Sequence, residues 1–446
     1  MDQATVFVVG AGPAGLFAAR KIANAGHHVV IFNRDIKPGG LAEYGIYPQK
    51  FRMKNGLRKQ FDKILAMPNV DYIGNVRVRS DERLTIEDLK KWQPTAIVFA
   101  VGAQGNKKLG MPGEDSKGVY SAKDFVYNYN LLPPFTSQDF SVGRRIAIIG
   151  MGNVMVDIAR WLMLDQPGEK PEEVIVIARR GPFEVKFDRK EFDYVEPFLD
   201  RKLFHEELNR VAEACKAVGQ DVTQVSETTF PWLKTDPESV PESKLTFRFL
   251  SSPVEIEPGA DGRIARLRVR ENILALDGEN TRPKATDKEF FLDVDTLIFA
   301  IGDLADPGLG LPYSKNSYVT NLDPGDPDRA AYEVFDPETG NVVDGVFVVG
   351  WARKASEGLV GKARFDAERG VDHILKYVEM AEKKPSQPME EVLRELRAKG
   401  LEPVTKEDVI RLGQVEAQQA QSLGLQEFKF STNEEMIRAI EARVAR

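Results

Sequence analysis

Apolar runs, glycine turns and amphipathic helices follow one another in a fixed order along the chain. The first run, Thr5 to Val9, is continuously β-branched or apolar, which is typical of a parallel strand covered on both faces. Apolar residues between positions 16 and 23 then recur at helical spacing, and Gly26 stands where such a helix would end. A second apolar run, His28 to Phe32, completes a predicted strand–helix–strand unit.

The same order appears again in the middle of the chain. Arg145 to Ile149 is another apolar run, residues 150–152 form a glycine turn, and Glu173 to Ala178 supplies the strand after the next helix. Further apolar runs end in a glycine at Ala96 to Gly102, Thr296 to Gly302 and Gly345 to Gly350. The pattern predicts an α/β protein with two Rossmann-like, three-layer dinucleotide-binding domains.

The composition is that of an ordinary globular protein. Its 446 residues, 42% hydrophobic and 29% charged, suffice for two or three domains with large cores. A net charge of -7 argues against a nucleic-acid-binding protein, which usually carries a basic face. We see no secretory signal after Met1 and no apolar stretch long enough to span a bilayer, so we expect a cytoplasmic protein without membrane association.

Cys215 is the only cysteine of the chain. A single thiol cannot form an intramolecular disulfide, a cysteine-ligated zinc site or a four-thiolate iron–sulfur cluster within this chain. The same count excludes a dithiol flavoenzyme. We expect no metal site and interpret Cys215 as a bystander.

Gly10, Gly12 and Gly15 fit the dinucleotide-binding pattern G-x-G-x-x-G, with Pro13 and Ala14 between the last two. In this pattern the first glycine permits the tight turn, the second lets backbone amides approach a pyrophosphate, and the third allows close packing of helix on strand. The positive end of the helix dipole then faces the phosphates. These five residues are therefore predicted to bind a dinucleotide.

The end of the second strand departs from the pattern. An acidic residue usually stands there and binds the ribose hydroxyls, but this chain has Asn33, followed by Arg34 and Asp35. Asn33 can still accept a hydrogen bond, and Asp35 could reach the same hydroxyls. The alternative is that the three residues form a solvated turn without a ligand.

Gly150, Gly152 and Met155 form a second version of the motif, in which methionine replaces the third glycine, so this helix is expected to stand slightly farther from its strand. Arg179 and Arg180 follow the next strand, where a guanidinium is well placed for the 2′-phosphate that distinguishes NADPH from NADH. At about 1.5–3 kcal/mol per charge-assisted hydrogen bond, two such bonds would favour NADPH by on the order of 10² to 10⁴. A pair of solvated arginines is the alternative.

Two dinucleotide motifs in one chain indicate a resident cofactor and a visiting one, because hydride transfer needs two ring systems in contact. Gly102 and Gly350, which close two of the apolar runs, would let the backbone lie close to a cofactor.

Several segments resemble one known family, the adrenodoxin-reductase-like NADPH–ferredoxin reductases, which are FAD enzymes related to the small subunit of glutamate synthase. The likeness covers nearly the whole chain, including a tail from Val404 to Met436 that resembles the family's C-terminal extension. Its most specific segments are residues 118–126 (GVYSAKDFV), Tyr129-Asn130, 150–154 (GMGNV), 157–160 (DIAR), 179–182 (RRGP), Lys190-Glu191, Gly350-Trp351 and 357–360 (EGLV).

The resemblance implies a domain division and two sets of contacts. Residues 1–105 and 304–446 would form the FAD domain, with 386–446 as a helical C-terminal extension, and residues 106–303 would form an inserted NADP domain. The implied FAD contacts are Gly12, Gly15, Gly40, Leu41, Trp351, Gly358, Leu359 and Val360. The implied NADPH contacts are Gly152, Asn153, Val154, Arg179, Arg180 and Glu191.

The resemblance also places Asp157 near the flavin and the nicotinamide. In the family a histidine accompanies this aspartate, in the segment that here reads Tyr47-Pro48-Gln49-Lys50. Either Lys50 takes that position and pairs with Asp157, or the pair is absent. No essential acid or base is expected, since hydride passes directly between the two cofactors.

In the implied reaction, electrons pass from NADPH to FAD and then to a ferredoxin-like one-electron carrier. Such carriers are acidic, so a basic docking surface is expected, either at Arg52, Lys54, Arg58 and Lys59 or at Arg189, Lys190, Arg201 and Lys202. Two alternatives stay open. The chain could be a flavin subunit that serves a partner's iron–sulfur clusters, or a nucleotide-binding sensor or scaffold without turnover.

Overall fold

The computed structural model describes residues 3–234, 242–353, 360–383 and 385–442. The chain forms two compact units. Unit 1 combines Met1–Asn106, Tyr127–Ser137 and Gly302–Arg446, and unit 2 combines Lys107–Val126 and Gln138–Ile301. Each unit is therefore assembled from segments that are distant in the sequence.

Most strands are short, and one pair is long. In chain order the strands are β1 (Thr5–Val9), β2 (His28–Phe32), β3 (Val70–Gly74), β4 (Ala96–Phe99), β5 (Gly105–Asn106), β6 (Val119–Ser121), β7 (Arg145–Ile149), β8 (Glu173–Ile177), β9 (Lys244–Arg248), β10 (Ser251–Pro258), β11 (Ile264–Asp277), β12 (Asn280–Asp293), β13 (Thr296–Phe299), β14 (Asp303–Leu304), β15 (Tyr313–Ser314), β16 (Ser317–Tyr318), β17 (Glu333–Asp336), β18 (Asn341–Val348) and β19 (Val404–Thr405).

The helices vary from single turns to five turns. In chain order they are α1 (Pro13–Asn24), α2 (Leu41–Tyr44), α3 (Phe51–Leu65), α4 (Ile86–Lys91), α5 (Ala122–Tyr129), α6 (Asn153–Arg160), α7 (Arg189–Phe192), α8 (Arg201–Lys216), α9 (Val225–Thr228), α10 (Pro327–Ala330), α11 (Val360–Met380), α12 (Met389–Ala398), α13 (Lys406–Leu423) and α14 (Asn433–Glu441). Among the described residues, every helix is too short or too polar to cross a membrane.

Unit 1 contains a seven-stranded sheet in the order β17-β18-β4-β1-β2-β3-β19. The five inner strands are parallel, and β17 and β19 pair antiparallel at the two edges. Val6 and Val8 belong to the core beneath α1 and α11. Phe7 and Val9 belong to a second core, with Trp92. Alternate residues of β1 thus point to opposite faces, and both faces are covered, as the continuous apolar run predicts.

Unit 2 contains a five-stranded parallel sheet in the order β6-β13-β7-β8-β9 and a three-stranded antiparallel sheet in the order β10-β11-β12. Ala147 and Ile149 of β7 share a core with Leu267 and Val269 of β11. The antiparallel sheet therefore covers one face of the parallel sheet, where a Rossmann unit would be expected to carry helices.

The last part of unit 1 consists of α12, β19, α13 and α14. Thr405 and Asp408 form a capping box at the start of α13, and Thr432 and Glu435 form another at the start of α14. These caps set the points at which the two helices begin. Both helices pack around Ile36, so this segment is folded onto the body of unit 1.

Candidate functional site

The glycine turn of residues 10–15 joins β1 to α1. Gly10 has a φ of +106°, and a Cβ placed on it would lie 2.6 Å from the carbonyl oxygen of Ala100. A Cβ on Gly15 would lie 1.9 Å from the carbonyl oxygen of Gly10. A Cβ on Gly12 would meet no heavy atom of the described residues within 4 Å. Gly10 and Gly15 are thus required by close packing, and Gly12 faces open space.

Gly12 opens into a cleft of unit 1. Gly12 is also the N-cap of α1 and makes no side-chain cap. The amides of the first turn of α1 are therefore free to bind a phosphate group, and the residues present fit a dinucleotide such as FAD.

The cleft brings together most of the residues predicted to contact FAD. Its lining includes Gly10, Gly12, Pro13, Ala14, Asn33, Arg34, Gly40, Leu41, Gly102 and Trp351. Gly350 is buried behind this wall, where a Cβ on it would lie 2.5 Å from the Cβ of Ala14. Gly358 and Leu359 lie outside the described residues, and Val360 is the first residue of α11.

Asn33 is 7% exposed and holds the glycine turn from behind. Its Oδ1 accepts a hydrogen bond of 3.0 Å from the backbone N–H of Ala11. Its Nδ2 donates to the carbonyl oxygens of Asp35 and Lys37 at 2.9 and 3.1 Å and lies 3.0 Å from the hydroxyl of Tyr72. The donors of the side chain are thus used within the protein, and a contact between Asn33 and a ribose stays a prediction.

Arg34 and Asp35 form a bidentate ion pair at the wall of the cleft. Arg34 donates from Nε and Nη2 to the two carboxylate oxygens of Asp35 at 2.8 and 3.2 Å. Its Nη1 donates to Oε1 of Gln104 at 3.0 Å. The guanidinium is therefore held in one orientation, with its charge beside the ligand space.

The segment 39–41 lies against the glycine turn. The N–H of Gly39 donates to the carbonyl oxygen of Ala11 at 2.7 Å. Gly40 has a φ of +49°, and a Cβ on it would lie 3.1 Å from the Cα of Gly12. Leu41 then begins α2 and lines the cleft. We call residues 39–41 the lip of the cleft.

The second glycine turn, in unit 2, repeats the geometry of the first. Gly150 has a φ of +117°, and a Cβ on it would lie 2.3 Å from the carbonyl oxygen of Ala300. A Cβ on Gly152 would meet nothing within 4 Å among the described residues, and Gly152 is the N-cap of α6. Met155 is fully buried. Met155 predicts a greater distance between α6 and β7, and this distance stays a prediction.

The residues predicted to contact NADPH are grouped around the carboxyl ends of β7 and β8, which are neighbouring parallel strands. Oδ1 of Asn153 accepts a hydrogen bond of 2.6 Å from the N–H of Asp188, and Val154 is 47% exposed. Arg179 is exposed and Arg180 is half-buried, and neither forms an ion pair with a carboxylate of the described residues. Both guanidinium groups are therefore available to a phosphate. Glu191 lies on α7, a single turn.

Lys50 and Asp157 belong to different units. Lys50 is the N-cap of α3 in unit 1, and Asp157 is half-buried on α6 in unit 2. The pairing of these two side chains stays a prediction.

One expected docking surface is corrected by the structure. Lys54 is 1% exposed, and its Nζ pairs with Glu427 at 2.7 Å. Arg58 pairs with Glu43 at 2.7 Å. The prediction that Lys54 presents free charge to an acidic carrier is wrong, because its charge is buried and is paired within unit 1. The side chain of Arg58 is 30% exposed, and its charge is paired as well.

Several residues of the cleft carry no sequence motif that points to them. They are Val76, Arg77, Val78, Gln104, Tyr127, Leu132, Asp306, Leu309 and Tyr318. Burial raises the pKa of Tyr127 to about 12, so its hydroxyl stays protonated at neutral pH. Tyr127 directly follows the segment 118–126, and that neighbourhood is the one signal that could have identified it.

Comparison with known proteins finds a matching family and similar proteins that cover most of the chain. The pattern of the pyridine nucleotide-disulphide oxidoreductase family matches residues 4–321. NADPH-ferredoxin reductase FprA of Mycobacterium tuberculosis is 28% identical over 407 residues, which cover 83% of this chain and 83% of the relative. The mitochondrial NADPH:adrenodoxin oxidoreductase of Salvelinus fontinalis is 28% identical over 477 residues, which cover 98% of this chain and 91% of the relative.

A solved structure extends the comparison to three dimensions. Mycobacterium tuberculosis FprA in complex with NADPH superposes with a TM-score of 0.82 at 26% identity. The match covers 98% of this chain and 100% of that chain.

Proposed function

The chain belongs to the pyridine nucleotide-disulphide oxidoreductase family, and from this we propose that it acts as an NADPH-dependent flavoprotein reductase of the ferredoxin–NADP reductase type. The resemblance to the adrenodoxin-reductase-like enzymes is confirmed by the relatives. Its cofactors are FAD and NADP, and its partners are NADPH and a ferredoxin-type carrier. When bound, FAD would supply the hydride acceptor for NADPH and the one-electron donor for the carrier.

One observation supports this proposal above the others. Each unit has a glycine turn in which the middle glycine, Gly12 or Gly152, faces open space at the N-terminus of a helix. A helix N-terminus with free amides binds phosphate. A reaction between two dinucleotides requires two such sites, whereas a protein that binds a single dinucleotide requires only one.

We propose that the cleft of unit 1 holds FAD. The backbone N–H groups of Gly12 and Ala14 would bind the diphosphate at the first turn of α1, and Pro13, which has no N–H, would border it. Arg34, oriented by Asp35 and Gln104, would add a fixed positive charge beside it. The lip, which includes Leu41, and Trp351 would exclude water from the flavin ring of FAD. Further proposed contacts are Gly102, Gly358, Leu359 and Val360.

We propose that the turn of unit 2 holds NADPH. Gly152, Asn153 and Val154 would bind the diphosphate, and Arg179 and Arg180 would bind the 2′-phosphate. Glu191 is a further proposed contact. The domain boundaries proposed from the sequence, 1–105 with 304–446 and 106–303, stay part of this proposal.

The name of the family includes disulphide reduction, which this chain cannot perform by itself. Cys215 is its only cysteine, it is buried, and burial raises the pKa of its thiol to about 11. A neutral, single thiol is neither a nucleophile nor half of a redox pair. Reducing equivalents must therefore leave through the flavin.

Lys50 and Asp157 are proposed to orient the reacting groups, with no obligatory proton transfer assigned to them. The cytoplasm is the proposed location. Some relatives carry mitochondrial names, so cell fractionation is the test of that location.

The function is tested by an anaerobic visible spectrum of the purified protein during titration with NADPH and then with NADH. We expect a yellow protein whose flavin band bleaches with NADPH at much lower concentration than with NADH. A colourless protein that does not take up FAD would overturn the assignment. An equal response to both nucleotides would overturn the role of Arg179 and Arg180.

A further inference from the structure

Three charged side chains, Glu43, Lys54 and Glu416, are buried in unit 1 beneath the lip of the cleft, within a larger group of paired charges. Charged side chains are almost never buried unless they are paired. Here each cation has a carboxylate partner within the group. We call this group the Glu43 cluster, and its members are Lys37, Glu43, Lys54, Arg58, Glu416, Glu427 and Lys429.

Glu43 is the centre of the cluster. It is 3% exposed and receives two hydrogen bonds of 2.7 Å from the guanidinium of Arg58. The ammonium groups of Lys429 and Lys37 lie 3.0 and 3.5 Å from its carboxylate. Burial by itself would raise the pKa of Glu43, but Lys37, Lys429 and Arg58 outweigh burial and hold it well below its usual value. The carboxylate is therefore charged and fully committed to these three cations.

Glu43 is connected directly to the lip. A Cβ on Gly39 would lie 2.9 Å from the Cβ of Glu43, so the two residues are in contact. The N–H of Glu43 donates to the carbonyl oxygen of Gly40 at 3.0 Å. The N–H of Gly39 in turn reaches Ala11 of the glycine turn. Any displacement of Glu43 therefore moves the backbone that borders the ligand space.

The helix that carries Glu43, α2, is too short to be stable without contacts to the rest of unit 1. α2 has four residues, and an isolated helix of one turn is unstable in water. Two of its residues, Leu41 and Tyr44, pack in a small core with Tyr127 and Leu132, which also line the cleft. Ala42 packs in the larger core of unit 1, and the ion pairs of Glu43 add a further restraint.

The C-terminal segment supplies part of that restraint from more than 370 positions away in the sequence. Nζ of Lys429 donates to the backbone oxygen of Glu43 at 2.9 Å in addition to pairing with its carboxylate, and it lies 4.9 Å from the ring centre of Tyr44. Glu416 holds Lys37 at 2.6 Å. Glu427 pairs with Lys54 and Arg58.

The same segment also braces the wall that carries Tyr127 and Leu132. The hydroxyl of Thr136 donates to the carbonyl oxygen of Ser431. Residues 416–431 thus contact two separate borders of the cleft, although none of them lines it.

We propose that Glu43 is a positioning residue for FAD and that the C-terminal segment 416–431 keeps FAD bound by fixing Glu43 through Lys429. The inference rests on the proposed FAD site of unit 1. It assigns to the C-terminal segment a role in retention of the flavin, in addition to the packing of its helices.

The test uses the purified holoenzyme at neutral pH and measures the rate of FAD release, from the rise of free flavin fluorescence after dilution. The variants are E43Q, K429M and K429R, with K406M as the matched control. Lys406 also ties the C-terminal segment to the sheet, through the backbone oxygen of Val70 at 2.8 Å and Asp71 at 3.6 Å, but not through the Glu43 cluster.

We expect FAD release to be faster by about tenfold or more in E43Q and by about threefold to tenfold in K429M, a tenfold change being about 1.4 kcal/mol. K429R keeps the positive charge and should return the rate to within about twofold of wild type, and K406M should stay within the same range. The KM for NADPH, which reports on unit 2, should not change in any of the variants.

Three results would overturn the proposal. The first is an unchanged release rate in K429M. The second is an equally fast release in K406M, which would indicate that docking of the segment in general is responsible. The third is a change in the KM for NADPH equal to the change in release. If E43Q does not fold, K429M, K429R and K406M decide the question. A wild-type protein that binds no FAD contradicts the proposed function instead.

Discussion

Oδ1 of Asn33 accepts a hydrogen bond of 3.0 Å from the backbone N–H of Ala11, so the side chain at the end of β2 holds the glycine turn at the end of β1. The sequence suggests a ribose ligand for Asn33, and the structure gives its amide group a structural task. This task needs both a donor and an acceptor on one side chain, and asparagine supplies both.

The substitution N33D is therefore expected to be destabilising, although it introduces the acidic residue that is usual at this position. A carboxylate can accept from Ala11 but cannot donate to the carbonyl oxygens of Asp35 and Lys37, and its charge would be buried beside them. We expect the free energy of unfolding of the apoprotein to fall by about 1–3 kcal/mol in urea denaturation. If the N33D apoprotein is as stable as wild type and binds FAD more tightly, residue 33 contacts the FAD ribose and does not stabilise the glycine turn.

The two glycines Gly12 and Gly15 are expected to respond differently to alanine. In G15A the new Cβ would collide with the carbonyl oxygen of Gly10 at 1.9 Å, so both the stability of the apoprotein and FAD binding should be lost. In G12A the new Cβ meets open space, and the backbone φ of -74° is accessible to alanine.

G12A should therefore leave the unfolding free energy of the apoprotein unchanged or raise it by about 0.4–1 kcal/mol, because alanine has less freedom than glycine in the unfolded chain. FAD binding should nevertheless be lost, because the methyl group occupies the space of the diphosphate. The two variants are compared by calorimetry and by flavin absorbance. Full retention of FAD by G12A would contradict the placement of the diphosphate.

The features that the sequence predicted are the local ones. The tasks of Gly10, Gly12 and Gly15 follow from sterics within a few residues and the ends of two strands, so the pattern is sufficient to place them. The continuous apolar run of β1 likewise indicates a strand covered on both faces, and both faces are covered.

The features that were missed depend on partners distant in the sequence. Lys54 reads as a surface lysine on an amphipathic helix, and its buried partner Glu427 cannot be inferred from spacing. The hairpin of β11 and β12 does have a local signal, because its two-residue loop, Gly278-Glu279, has glycine at the first position, where the φ is +62°. The repeated strand–helix order nevertheless predicts helices on both faces of the second sheet, and the antiparallel sheet covers one of these faces instead.

Arg179 and Arg180 are expected to determine the preference for NADPH over NADH. Replacing each by alanine removes about 1.5–3 kcal/mol of charge-assisted hydrogen bonding to the 2′-phosphate, so the preference in kcat/KM should fall by on the order of 10 to 10² per residue. The value of kcat/KM for NADH should stay within about twofold, since NADH has no 2′-phosphate. Arg266, which is exposed on β11 and pairs with Glu257 at 2.5 Å, provides the control R266A. A preference that survives in the double variant would place the 2′-phosphate elsewhere.

Glu43 is expected to make the stability of unit 1 sensitive to acid. Lys37, Lys429 and Arg58 hold its pKa in the folded protein below the usual value of 4.5, despite burial. The unfolded chain therefore binds more protons than the folded chain as the pH falls below 4.5, and the free energy of unfolding decreases with falling pH. The contribution of Glu43 is fully present above pH 4.5 and is lost progressively below it.

The substitution E43Q removes this dependence together with the charge. At pH 7 the variant should be less stable than wild type by about 3–5 kcal/mol, because Lys37, Lys429 and Arg58 lose the buried carboxylate that they share. As the pH is lowered from 6 toward 3 the difference between wild type and E43Q in urea denaturation should shrink, since the unfolded wild-type chain takes up a proton at Glu43 below the usual pKa of 4.5 while the folded carboxylate stays charged. A difference that stays constant over this range would mean that the pKa of Glu43 is the same in the folded and in the unfolded chain, which would remove the electrostatic basis for its hold on the lip.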